Sequence, residues 1–322
     1  MQTVLVAGGA GFIGSHLCKS LLNDNNKVIC VDNLITGDRN NIRELLRNPL
    51  FEFIEDDITK PVQSSKFKVQ SLDYIFHLAS PASPNKKSTK SYINHPIETL
   101  LVNSLGTYNL LELAKNFGSK FLFASSSEIY GDPQMSPQKE TYFGNVNPNG
   151  VRSVYDEGKR FGEAMTFGYL RKHNLDNRII RIFNTYGPKM QVDDGRVVVD
   201  FIVQAINGQP FTVHGSGEQT RSFCYVSDMV EGLVKLMFTD KLTGEVVNLG
   251  NADERSVNEL MDVVAEKFKV EKQVKRLPLP EDDPIRRQPD ISKAKKLLSW
   301  EPKVNLNEGL NKTIEYFRGV MG

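Results

Sequence analysis

The sequence predicts an α/β fold, a doubly wound parallel sheet followed by a smaller C-terminal α/β cap. Three observations predict it. Short apolar runs alternate with longer amphipathic segments through residues 1–187. A glycine-rich turn joins the first apolar run to the first helical one. The alternation lapses after Gly187-Pro188, where the polar, turn-like segment 191–196 begins. Apolar strands alternating with helices mean a parallel sheet covered on both faces.

Taken in order, the strands are expected at 3–7, 27–31, 51–54, 74–78, 120–124 and 177–182. Each is a short apolar run too brief for a helix. Helical periodicity lies between them at 14–23, 97–117 and 155–173. Beyond residue 188 the expected elements are a helix at 198–207, strands at 211–214 and 245–249, and helices at 256–269 and 306–319. Residues 277–289, rich in proline and charge, read as loop. The division expected is 1–187 for the sheet domain, with returns from about 221–262, and 188–322 mainly for the cap.

The chain has 322 residues and a formal net charge of +1. That length suits one large α/β unit or two smaller ones, and that charge supplies no global field for nucleic acid or an anionic membrane. No apolar run is long enough to span a bilayer. Three cysteines with no Cys-x-x-Cys pair argue against a disulfide framework and a zinc site. No leader is expected ahead of the first strand, and a cytoplasmic location follows as the expectation.

Gly8, Gly11 and Gly14 punctuate the turn after the first strand. Glycines there allow the tight bend, the approach of backbone to a pyrophosphate, and close helix–sheet packing. The helix N-terminus adds free N–H groups and a favourable dipole. Asp32 ends the second strand, where a carboxylate can accept from a ribose hydroxyl and repel a 2′-phosphate. NAD is thus preferred over NADP. Phe12, Ile13, Asn33, Asp57, Ile58 and Leu78 are expected to line the same site. A glycine-rich turn with no cofactor is the alternative for the glycines alone.

Tyr155 and Lys159 lie four apart in a helical stretch and share a face. Tyrosine titrates near 10 in isolation, so a basic role at neutral pH needs help from a cation. Alone, the pair reads more readily as ordinary amphipathic helix. The cluster Ser125-Ser126-Ser127-Glu128 changes the balance, because it follows a strand at the carboxyl edge where such sheets bind ligands. His77, at a strand end, reads as a packing residue, and Asp193-Asp194-Gly195 reads as a turn rather than a metal site.

With these motifs in place, the sequence resembles the extended short-chain dehydrogenase/reductase family of nucleotide-sugar enzymes and, within it, the UDP-glucuronate decarboxylases. The segments that carry the resemblance are 77–84, 127–133, 155–160, 181–188, 194–198, 219–223, 287–291 and 300–302, nearly the whole chain. It implies a Rossmann fold, bound NAD, a UDP-sugar substrate and a homodimer whose helix bundle includes Leu101-Val102-Asn103 and the Tyr155 helix. It further implies catalytic roles for Ser126, Glu128, Tyr155, Lys159 and Arg287, and substrate contacts from Tyr92, Asn184, Arg196 and Arg221. Like-charge repulsion from the sugar carboxylate is expected to raise the pKa of Glu128. The resemblance departs at Ser126, usually threonine, at Lys189, usually arginine, and at 85–91, a lysine-bearing insertion expected to be a solvated loop. A UDP-hexose or UDP-glucuronate 4-epimerase, a 4,6-dehydratase and a silent NAD-binding scaffold remain as alternatives. Ser127 stands where a dehydratase would carry aspartate.

Overall fold

A computed structural model describes residues 1–61, 69–284 and 286–322. The first half contains β1 (Thr3–Ala7), β2 (Lys27–Asp32), β3 (Phe51–Glu55), β4 (Tyr74–His77), β5 (Lys120–Ser126) and β6 (Asn177–Ile182). Its helices are α1 (Phe12–Asn23), α2 (Pro96–Leu101), α3 (Thr107–Phe117) and α4 (Ser153–His173). The second half adds β7 (Thr185–Tyr186), β8 (Phe211–His214), β9 (Thr220–Ser222), β10 (Cys224–Tyr225), β11 (Val246–Leu249), β12 (Glu254–Ser256), β13 (Val274–Leu277) and β14 (Arg286–Arg287). Between and after these strands run α5 (Val197–Ile206), α6 (Val226–Phe238), α7 (Val257–Phe268), α8 (Ser292–Leu298) and α9 (Leu306–Met321).

The main sheet has seven strands in the order β11-β6-β5-β4-β1-β2-β3, and every pair in it is parallel. Alternate residues of β1 show why it is doubly wound. Val4 and Val6 pack with α1 and α6 through Leu17, Leu21, Met229 and Leu233. Leu5 and Ala7 pack on the other face with Leu110 and Leu111 of α3. Strand side chains alternate between faces, so a strand buried on both sides must be apolar throughout.

Three expectations need correction. The helix expected over 97–117 is broken by a π-type turn at Val102–Gly106 between α2 and α3. Helix α6 was not anticipated, although Met229, Leu233, Leu236 and Met237, all fully buried, recur at i, i+4, i+7 and i+8 on one face. The stretch 277–289 is not only loop. Leu277 ends β13, and Arg286-Arg287 form β14, in parallel register with Thr220-Arg221 of β9. That short pairing sets Arg287, almost fully buried, against Glu128 in the turn after β5.

Candidate active site

The glycine turn is built so that side chains cannot enter it. Gly8 has φ +82°, and a Cβ there would lie 2.6 Å from the Ala79 nitrogen. A Cβ on Gly14 would overlap the Gly8 carbonyl oxygen. No side chain caps the N-terminus of α1 at Gly11, which leaves its first N–H groups free for an anion. At the end of β2 the Asp32 carboxylate accepts from the backbone N–H groups of Ala10 at 3.0 Å and Leu34 at 2.9 Å. Burial nonetheless raises its pKa. Each oxygen keeps a lone pair for a ribose hydroxyl, and Gly37 leaves the space beside it open, since a Cβ would sit 2.7 Å from Asp32 Oδ1. The cradle therefore fits a dinucleotide with an unphosphorylated ribose. Gly14→Ala should abolish retention of NAD on purification, checked by absorbance of the denatured supernatant.

The other residues expected at this site fall around the same carboxyl edge with smaller signatures. Phe12 and Ile13 open α1, half-buried. Asn33 Oδ1 accepts from the Ile35 N–H at 3.1 Å, and Asp57 Oδ1 holds the Thr59 N–H and hydroxyl. Ile58 is buried against Gly106, and Leu78 donates its N–H to Ala7 at the end of β1.

Tyr155 and Lys159 are both buried on α4. The Tyr155 ring stacks on Tyr92 at 5.2 Å with 17° between planes. Burial pushes the Tyr155 phenol up to about 12, and the Ser126 hydroxyl hydrogen-bonded to it pulls the other way. Lys159 Nζ donates to the Ala124 carbonyl at 2.9 Å and lies 5.7 Å from the Tyr155 ring centroid. Burial drops this ammonium to about 7. The lysine thus does not by itself produce a phenolate here; a further positive charge beside the phenol is required. A stability consequence follows. Between about pH 7 and 10.5 the unfolded chain binds a proton that folded Lys159 has shed, so this group's destabilisation fades as pH rises. Lys159→Met should be more stable than wild type near pH 6, with the gap narrowing above pH 7 in urea titrations.

Glu128 follows β5 in a short 3₁₀ turn capped by the Ser126 side chain. Arg287 forks it, Nη1 meeting Oε1 and Nη2 donating to Oε2 at 2.9 Å. Arg152 donates to the same Oε2 at 2.6 Å. The upward shift expected of Glu128 depends on a bound sugar carboxylate; in the substrate-free protein the balance runs the other way. Burial does push its pKa up, but the two guanidinium groups outweigh burial and hold the carboxyl well below its usual range. The network continues: Arg152 reaches Asp283 at 3.4 Å, and Arg221 reaches the other Asp283 oxygen at 2.8 Å. Three arginines and two carboxylates thus join helix α4 to the cap strands β9 and β14.

Of the remaining residues singled out in the sequence, Arg196 holds Asp194 at 3.2 Å and the Ala82 carbonyl at 3.0 Å. The Asn184 carbonyl, just before β7, accepts from the Cys224 N–H and extends the β7–β10 pairing. His77 is fully buried and 3.1 Å from the Thr107 hydroxyl, as a packing residue would be. The lysine-bearing insertion is not simply a solvated loop. Lys86 and Lys87 are exposed, but Ser88 and Ser91 are fully buried, and Asn85 ties the segment to the Asp193 carbonyl at 2.8 Å. Arg152, Asp156 and Asp283 were missed. Arg152 precedes Tyr155 by three residues, a spacing that puts both on one face of a helix, and that signal was available.

The family profile described as GDP-mannose 4,6 dehydratase matches residues 5–313. The chain is 51% identical over 320 residues to UDP-glucuronic acid decarboxylase 6 of Arabidopsis thaliana, covering 99% of this chain and 90% of that protein. It is 48% identical to UDP-glucuronic acid decarboxylase 1 of Xenopus tropicalis, covering 98% and 72%. Among solved structures it superposes on the UDP-glucuronic acid 4-epimerase of Bacillus cereus in complex with UDP-glucuronic acid and NAD. The TM-score there is 0.88 and the identity 30%, over 99% of this chain and all of the other. With the glycine cradle, the Tyr155/Lys159 pair and a carboxylate gripped by two arginines on one edge of the sheet, the chain belongs to the extended short-chain dehydrogenase/reductase family, on the branch of the UDP-glucuronic acid decarboxylases.

Proposed function

We propose that the protein converts UDP-glucuronate to UDP-xylose and carbon dioxide, using NAD that is regenerated in each turnover. The observation that carries this reading is Glu128 held by Arg287 and Arg152 beside Ser126 and Tyr155. NAD, held by the glycine cradle and Asp32, would supply a reversible hydride acceptor at C4 of the sugar. Tyr155 accepts the C4 hydroxyl proton, and Ser126 holds the same oxygen. The carboxylate then lies β to a carbonyl, so loss of carbon dioxide leaves an enolate whose oxygen Ser126 and Tyr155 stabilise. Arg287 orients the sugar carboxylate as a fork. A permanent grip there would slow its loss, because ground-state binding must be released on the way to the transition state. Glu128, already paired with Arg287, is the natural competitor for that guanidinium.

Gly8, Gly11, Phe12, Ile13, Gly14, Asp32, Asn33, Asp57, Ile58 and Leu78 are assigned to NAD. Tyr92, Asn184, Arg196 and Arg221 are assigned to the UDP-sugar, with Arg221 and Arg196 nearest in chemistry to its diphosphate. Residues 188–322 form mainly the substrate cap, with β11 returned to the main sheet. A homodimer through α2, α3 and α4 is supported by exposed Ile97, Leu105, Tyr108 and Phe161, 45–61% accessible on that face. Three free buried cysteines suit a cytoplasmic setting. Among the described residues no helix is long and apolar enough to cross a membrane.

Mass analysis of the product from UDP-glucuronate tests the reading. Carbon dioxide and a UDP-pentose are expected. A UDP-hexuronate of unchanged mass would make the protein a 4-epimerase instead.

A further inference from the structure

Behind Glu128 lies a cavity of about 200 Å³ whose polar lining is Asp132, Asn145, Asn147, Arg152, Asp156 and Asp282. Neither Tyr155 nor Ser126 lines it. Two buried polar atoms have no hydrogen-bond partner among the described residues, Asp156 Oδ1 and Arg152 Nε. Their residues are four apart where α4 begins and face the same way. The residue Asp156 is only 5% accessible. Arg152 therefore borders the cavity while its far end grips Glu128 at 2.6 Å. An unpaired buried carboxylate is costly, and a polar cavity of this size has ample room for water.

We propose that Asp156 stores the proton that ends on C5 of the sugar, and that this cavity refills it from water. The proposal rests on the decarboxylase reading above and deepens it.

The strongest charges on Asp156 come from three elements, and Asp132 and Asp282 share its cavity wall. Glu128, from the turn after β5, repels its ionised form, as does Glu157 on α4 itself. Arg152 on α4 and Arg287 on β14 favour the ionised form, and Tyr92 and Tyr155 pack nearby. Burial outweighs the arginines, which spend their charge on Glu128, and pushes the Asp156 carboxyl up to about 8. At neutral pH Asp156 is therefore the protonated carboxyl and Glu128 the ionised one.

A sugar carboxylate drawing on Arg287 strips Glu128 of one cation and makes it the better base. The Asp156 O–H bond then breaks as an O–H bond forms on Glu128, relayed by a water that gains one proton as it gives up another. Next the Glu128 O–H bond breaks while the enolate electron pair forms the C5–H bond, restoring the C4 carbonyl. Asp156 is left as a carboxylate and recovers its proton from water. One solvent proton is consumed for each carbon dioxide lost, as the overall reaction requires.

The test is the pH dependence of UDP-xylose formation in wild type, Asp156→Asn and Asp156→Glu. Wild type should lose rate on an alkaline limb near pH 8. Asp156→Asn should fold and melt at least as high as wild type, yet form UDP-xylose about 100-fold more slowly at pH 7, with that limb gone. Asp156→Glu should restore part of the rate together with the limb. An Asp156→Asn protein that keeps the wild-type rate, or that loses rate while keeping the limb, overturns the proposal, as does a wild type with no limb there. If wild type releases no carbon dioxide from UDP-glucuronate, the decarboxylase reading itself fails and the proposal falls with it.

Discussion

Tyr155→Phe is expected to lower carbon dioxide release from UDP-glucuronate by about 10³-fold, within the range for loss of a general base. The substitution removes one oxygen and leaves the ring, so the stack on Tyr92 and the packing of α4 should persist. Bound NAD and the melting temperature should stay near wild type. The hydroxyl has no substitute: Ser126, hydrogen-bonded to it, is far too weak an acid or base to take its place. Because burial holds the phenol near 12 in the substrate-free protein, the wild-type rate should rise with pH on the acid side as the phenol ionises beside a bound cation. The opposing Asp156 limb would then give a bell. A Tyr155→Phe enzyme with more than a tenth of wild-type activity would remove Tyr155 from the proton path.

Glu128→Ala should be the most damaging single change to the fold at this site. Its carboxylate neutralises Arg287 and Arg152, both almost fully buried. Removing one partner of a buried pair leaves uncompensated charge and typically costs about 3–5 kcal/mol. Arg152 would retain Asp283 at 3.4 Å, so Arg287 bears most of the loss. Urea unfolding should show a lower midpoint, and decarboxylation should fail. Glu128→Gln separates the two effects. The amide oxygen can still accept from one arginine, so stability should recover in part while the proton donor stays absent. A Glu128→Gln protein that decarboxylates at the wild-type rate would remove Glu128 from the chemistry, and a Glu128→Ala protein of wild-type stability would show the two arginines paired elsewhere.

Much of the fold was legible because it is written locally. The six expected strands of the first half reappear within a residue or two of their expected ends, since each is an apolar run bounded by polar residues. The glycine spacing read equally well, because a tight turn excludes Cβ atoms whatever surrounds it. Helix α6 was overlooked although its stripe is there to read, with Met229, Leu233, Leu236 and Met237 on one face and Ser227, Glu231 and Lys235 away from the core. The candidate residues of α4 and of the turn after β5 were singled out by type, spacing and resemblance, but their charge states were not legible. The spacing puts Lys159 beside Tyr155, but it does not reveal that the ammonium donates to the Ala124 carbonyl.

The sequence by itself determined the alternation of strand and helix, the phosphate turn at Gly8–Gly14 and the chemical inventory of Ser126, Glu128, Tyr155, Lys159 and Arg287. Only the tertiary structure decided which charges meet. Arg287 is 159 residues from Glu128 in the chain, and it reaches that carboxylate because β14 pairs with β9 in the cap. Proton affinity is a property of a neighbourhood: burial raises a carboxyl, a guanidinium lowers it, and neighbours distant in sequence cannot be read along the chain. Hence Glu128 and Asp156, two carboxyls within reach of each other's charge, part in opposite directions.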